Sequence, residues 1–140
     1  MQLHPAIIGQ PRFLPCFLKP VCAGFPSPAD DYLDAPIDLS RTLIQNAPAT
    51  FIMTVQGDSA MDAGIFDGSL ITVDRSLKPR DGDAIVVDVN GERSVKLFRL
   101  VGGRPCLAYG NRRYPAYEPG PDADIEIFGV ITNAVRRFRR

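Results

Sequence analysis

Ser59 and Lys96 are the two residues of this chain whose types and settings could do chemistry together. Gly57-Asp58-Ser59 follows one apolar run, and Lys96 lies inside a second. The only histidine, His4, stands in a proline-rich N-terminal segment, remote in sequence from both. A serine hydroxyl acting as nucleophile needs a neighbouring base and donors for the developing oxyanion. With no imidazole near Ser59 in sequence, a desolvated lysine amine is the remaining candidate for the base. A turn at this point can aim the backbone N–H groups of Asp58 and Ser59 at one oxygen. Upstream, Ala23-Gly24 is a small-residue pair that such a serine could cut. The residues alone leave a plainer reading open, because Gly-Asp-Ser is also ordinary turn composition and spacing does not pair Ser59 with Lys96.

Base usage adds to the case for Lys96. Of 16 basic residues only three are lysine, namely Lys19, Lys78 and Lys96. Arginine keeps its proton at working pH, whereas lysine shifts readily when buried. Alternation on an extended strand puts Ser94, Lys96, Phe98 and Leu100 on one face, and desolvation there lowers an amine's pKa. The alternative is that Lys96 snorkels its amine to water past these neighbours. A hard-cation hydrolase is the competing chemistry, with carboxylates at Asp58, Asp62, Asp67, Asp74, Asp81 and Asp83. Their spacing does not fit a calcium-binding loop, and most adjoin glycine as turn residues do. We expect no metal, no other cofactor and no small-molecule ligand.

The elements that must position these residues read as strands. Residues 50–55 and 69–73 are short, β-branched and bounded by Gly and Asp. Residues 84–89 lead through Asn90-Gly91 into residues 93–100, and an Asn-Gly pair between apolar runs signals a hairpin. Two more strands are expected at residues 105–109 and 125–135. One short helix is expected over residues 38–44, with Asp38 as N-cap. Residues 1–28 carry six prolines, which forbid helix interiors, so an extended arm that docks on something is expected there.

Composition bounds the rest. The chain has 140 residues, 45% hydrophobic and 23% charged, which suits one soluble domain with a loose arm. No apolar stretch is long enough to span a membrane, and a secretory signal is not expected. Three cysteines, an odd count without paired spacing, point to reduced thiols and a cytoplasmic setting. Net charge is zero, so the whole chain carries no nucleic-acid signature. The basic end, Arg136-Arg137-Phe138-Arg139-Arg140, is read as a solvated tail.

Together these segments resemble the UmuD family, self-cleaving mutagenesis proteins related to the C-terminal domain of the LexA repressor. The resemblance is carried by Cys22-Ala23-Gly24-Phe25-Pro26-Ser27-Pro28-Ala29-Asp30-Asp31-Tyr32, Ile37-Asp38-Leu39 and Gly57-Asp58-Ser59. It continues through Asp67-Gly68-Ser69-Leu70, Gly82-Asp83, Val95-Lys96-Leu97 and Phe128-Gly129-Val130. It implies a mostly β, LexA- and signal-peptidase-like sheet body over residues 24–140. A flexible arm, residues 1–23, would be removed by self-cleavage, and at most one or two short helices are expected. In that scheme Ser59 attacks the carbonyl of Ala23, the backbone of Asp58 and Ser59 holds the oxyanion, and Lys96 is the base that later protonates the amine of Gly24. A RecA filament on single-stranded DNA would promote cleavage. The product, a homodimer, would then join a UmuC-type translesion DNA polymerase.

Two departures stand out, Ala60 after the serine and residues 1–20, which match nothing in the family. The family usually has methionine directly after the serine, where this chain has Ala60, with Met61 one place on. UmuD-like relatives often cut at Cys-Gly, whereas here Cys22 precedes an Ala-Gly pair. Residues 1–20 show no helix-turn-helix, so a LexA-type repressor is not expected. Two other functions compete: a polymerase accessory subunit whose cleavage chemistry has decayed, and a signal-peptidase-like enzyme acting on secreted substrates. The absent membrane span and the built-in Ala23-Gly24 pair count against the second.

Overall fold

The computed structural model describes residues 9–26, 28, 29 and 31–139. They form two compact units divided between Gln45 and Asn46. His4 and Asp30 lie outside the described residues.

In the first unit, β1 (Phe13–Phe17) pairs antiparallel with β2 (Leu33–Asp38). The register breaks between Leu14 and Cys16, which is where Pro15 sits. A proline has no N–H to give a ladder and is tolerated at such a bulge. Within the arm expected over residues 1–28, Phe13–Phe17 is a strand with a partner. Helix α1 (Leu39–Leu43) follows at once. Asp38 caps it as expected, accepting the Ser40 N–H at 3.2 Å. The connection from β1 to β2 is closed at its base by Leu18 N–H donating to Tyr32 O at 3.0 Å.

The second unit is a six-stranded antiparallel sheet. Its strands are β3 (Thr50–Thr54), β4 (Leu70–Asp74), β5 (Ala84–Val89), β6 (Glu92–Val101), β7 (Arg104–Ala108) and β8 (Ile125–Val135). They lie side by side in the order β3-β4-β8-β5-β6-β7. The chain is mostly β, with four of these strands overlapping the runs read from sequence and β5 and β8 matching theirs end to end. The β5–β6 hairpin turns at Asn90 and Gly91, with φ of 50° and 80°, the left-handed conformation that makes Asn-Gly a hairpin signal. Between β6 and β7 the turn is Gly102-Gly103, also at positive φ.

Strand β5 lies inside the sheet and is covered on both sides. Ile85 and Val87 are fully buried on one face, where they pack with Val130, Val89, Phe98 and Leu107. Val86 is buried on the other, in a cluster with Val55, Ala60, Ile65, Ile71, Val73 and Phe128. At about 1.5–3 kcal/mol for each large apolar side chain removed from water, these two clusters fix the register that places residue 96. Among the described residues no helix is long and apolar enough to cross a membrane.

Candidate active site

Strand β3 delivers the chain into the Ser59 turn. Val55 N–H donates to Ser69 O at 2.9 Å, and Gly57 then turns the backbone with φ of 96°. A side chain at that φ costs roughly 1–2 kcal/mol, so glycine belongs there. Gly57 N–H donates to Asp67 Oδ1 at 2.8 Å. The Asp58 carbonyl accepts the Met61 N–H at 3.2 Å, and a 3₁₀ turn over Met61–Ala63 follows. Ser59 is half-buried, while Ala60 beside it is buried among Val55 and Ile65. The N–H groups of Asp58 and Ser59 donate to no described residue. Two donors thus stay available at the turn, as an oxyanion site needs.

Lys96 lies opposite Ile85 in the β5–β6 ladder, which sets it on the same face as Ile85 and Val87. It is only 5% exposed, so the snorkelling alternative does not describe it. The amine donates to Ser94 Oγ at 2.8 Å and to Val95 O at 3.4 Å. Two aromatic rings, Tyr109 and Tyr117, face it with centroids at 5.0 and 4.8 Å. Burial pushes its pKa below the ordinary lysine value, since an ammonium loses hydration there. The rings oppose this by attracting the cation, but such contacts give about 0.5–2 kcal/mol. Desolvation can move a buried amine by several pKa units, and it wins.

The serine turn and the lysine meet through the loop after β7, which the sequence reading passed over. Asn111 Nδ2 donates to the Asp58 carbonyl at 2.9 Å, and the Tyr114 hydroxyl donates to Asp58 Oδ1. Gly110 O accepts the Asp62 N–H at 2.7 Å, and Asp62 Oδ2 accepts the Arg112 N–H at 2.7 Å. From the other side, the Tyr114 ring lies 4.9 Å from that of Tyr109, which faces Lys96. A chain of contacts therefore runs Lys96–Tyr109–Tyr114–Asp58, next to Ser59. No hydrogen bond joins Ser59 to Lys96 in this conformation, where the amine is bonded to Ser94 and Val95. One sequence signal pointed to this loop: three of the chain's four tyrosines fall at positions 109, 114 and 117.

Ala23 and Gly24 lie in the β1–β2 connection and are exposed, flanked by Val21 and Phe25 at 95% and 94% exposure. An exposed loop tip with small residues is where a peptidase reaches a backbone. All six aspartates offered as cation ligands instead accept hydrogen bonds from turns, loops or nearby side chains. Asp67, Asp83, Asp74, Asp62 and Asp81 take backbone N–H groups, and Asp58 takes the Tyr114 hydroxyl. Among the described residues no group of three His, Cys, Asp or Glu side chains could hold a metal ion. Cys16, Cys22 and Cys106 form no disulfide with one another.

The sequence profile of the peptidase S24-like family matches residues 15–132. Protein MucA of Salmonella typhimurium is 37% identical over 123 residues, spanning 87% of this chain and 84% of MucA. Protein ImpA of Escherichia coli is 37% identical over 134 residues, spanning 89% of this chain and 85% of ImpA. LexA repressor 1 of Xanthomonas axonopodis pv. citri is also 37% identical, over 117 residues, but the match spans only 58% of that repressor.

Proposed function

The chain belongs to the peptidase S24-like family, and from that premise we propose that it cuts its own Ala23–Gly24 bond with a Ser59–Lys96 dyad. The Lys96 amine, neutral, takes the proton of the Ser59 hydroxyl as Oγ adds to the carbonyl carbon of Ala23. The resulting oxyanion is held by the backbone N–H groups of Asp58 and Ser59. When the C–N bond breaks, the Lys96 ammonium gives its proton to the departing amine of Gly24. Water then attacks the Ser59 ester as Lys96 takes up its proton, Lys96 returns that proton to the departing Ser59 Oγ, and the acid left on Ala23 ionises to a carboxylate. The boundary between residues 1–23 and 24–140 is made by this reaction and is distinct from the packing division after Gln45.

The observation that carries the reading is the buried Lys96 amine, nearly inaccessible on a β-strand, with its pKa lowered by desolvation. A buried lysine whose neutral form is favoured is unfavourable for a structural role and suited to a base. To act, its side chain exchanges the Ser94 hydroxyl for that of Ser59. The likeness to the UmuD family extends the proposal. Processing answers a RecA filament on single-stranded DNA, and the shortened chain serves as the dimeric subunit of a UmuC-type error-prone DNA polymerase. Incubation at neutral pH with RecA, ATP and single-stranded DNA tests the switch. Processing should accelerate only when all three are present, and an unchanged rate contradicts it.

A further inference from the structure

The Asp58 carbonyl oxygen is held by two donors, Met61 N–H at 3.2 Å and Asn111 Nδ2 at 2.9 Å. In a planar trans peptide the C=O of Asp58 and the N–H of Ser59 point in opposite directions. Fixing the one therefore aims the other. The Met61 bond is internal to the turn, whereas Asn111 supplies the shorter bond from a loop remote in sequence. Asn111 is 4% exposed, and its Oδ1 accepts the Arg113 N–H at 3.0 Å. Both ends of its amide are engaged, so the side chain cannot flip without losing hydrogen bonds in a buried place. The loop is also seated tightly on the turn, because a Cβ at Gly110 would stand 3.1 Å from Ala60 Cα.

We propose, on the reading that Ser59 is the nucleophile, that Asn111 is a positioning residue. It turns the Asp58–Ser59 peptide so that the Ser59 N–H faces the oxyanion of the tetrahedral intermediate. Asn111 itself acts through the peptide and not on the reacting atoms. Its effect falls on the transition state, because donors aimed at developing charge contribute most when that charge is formed. Nothing in its position reaches the Lys96 amine, whose contacts are Ser94, Val95, Tyr109 and Tyr117. Loss of Asn111 should slow the reaction without moving the pH at which the base titrates.

The test is the first-order rate of self-processing between pH 7 and 10 for the wild type, Asn111→Ala and Asn111→Asp, with Ser59→Ala as blank. Asn111→Asp keeps the size and the acceptor for Arg113 but removes the donor to Asp58, so it serves if the alanine variant is unstable. Both variants should slow by about 10- to 100-fold, less than the ~10²–10³ lost with a whole oxyanion donor. Their pH midpoint should match the wild type, and circular dichroism should show them folded at the assay temperature. Rates within about twofold of wild type overturn the proposal. A slowed variant with a displaced pH midpoint overturns it too, because Asn111 would then act on Lys96. Loss of the fold in both variants assigns Asn111 a structural role and likewise overturns it. A wild type that is never processed defeats the dyad reading itself, and the wild-type sample alone reveals that.

Discussion

Self-processing of the purified protein should accelerate as the pH rises from 7, because the Lys96 amine must be neutral to take the Ser59 proton. Below the pKa of the amine, each unit of rise in pH multiplies its neutral fraction by about ten, and the rate should climb by the same factor. The structure sets where that climb ends. Burial lowers the Lys96 pKa from the ordinary value of 10.5, so the rate levels off below that pH. Two of the nearby phenols, Tyr114 and Tyr117, stay out of the profile. The hydrogen bond to Asp58 raises the pKa of Tyr114, and burial raises that of Tyr117, so both stay protonated while the amine titrates. The remaining contacts of the amine, Ser94, Val95 and the Tyr109 ring, include no carboxylate. The assay is the disappearance of intact chain by mass spectrometry or gel at half-unit pH steps without any activator. Lys96→Arg, which keeps the charge but cannot give up its proton, should be silent throughout, and loss of a general base costs about 10²–10⁴-fold. A rate that is flat between pH 7 and 10, or a climb that persists in Lys96→Arg, refutes the lysine base.

Other outcomes follow from the same contacts. Because the folded pKa of Lys96 lies below its unfolded value, the unfolded chain binds more protons between the two, and stability rises with pH across that window. Lys96→Met should therefore melt above the wild type at pH 7, by a margin that shrinks as the pH climbs through the lowered pKa toward 10.5; a constant margin in thermal melts speaks against the buried ammonium. Ala60→Met, which restores the usual family residue, adds bulk at a site only 3% exposed and should cost about 1–3 kcal/mol. It should lower the melting temperature without raising the processing rate, whereas faster processing would support decayed chemistry in the wild type. In the basic tail the Arg136 guanidinium lies 4.1 Å over the Phe66 ring, so duplex DNA binding should be weak and salt-sensitive. Tight binding by fluorescence anisotropy at about 150 mM salt contradicts that.

What could be read from the sequence was local. Asn90-Gly91 announces its hairpin because both residues must adopt positive φ, and Asp38 announces a helix start because its carboxylate meets a free N–H. Lys96 could be singled out because lysine is scarce here and its neighbours are apolar. Strand β1 was hidden by Pro15, since proline argues against a strand until a bulge makes room for it. The loop holding the site was hidden for a different reason. Asn111 and Tyr114 meet Asp58 across more than fifty residues of chain, and no periodicity encodes such a contact. Ser94, too, fell on the expected face of β6, but only the structure shows its hydroxyl bonded to the Lys96 amine.

The most direct measurement is the intact mass of wild-type and Ser59→Ala protein after a day at pH 9 to 10. The account predicts a wild-type product beginning at Gly24, with residues 1–23 as its complement, and an uncut Ser59→Ala chain. A Ser59→Ala chain cut at the same bond, a wild type cut elsewhere, or a wild type left whole would contradict it.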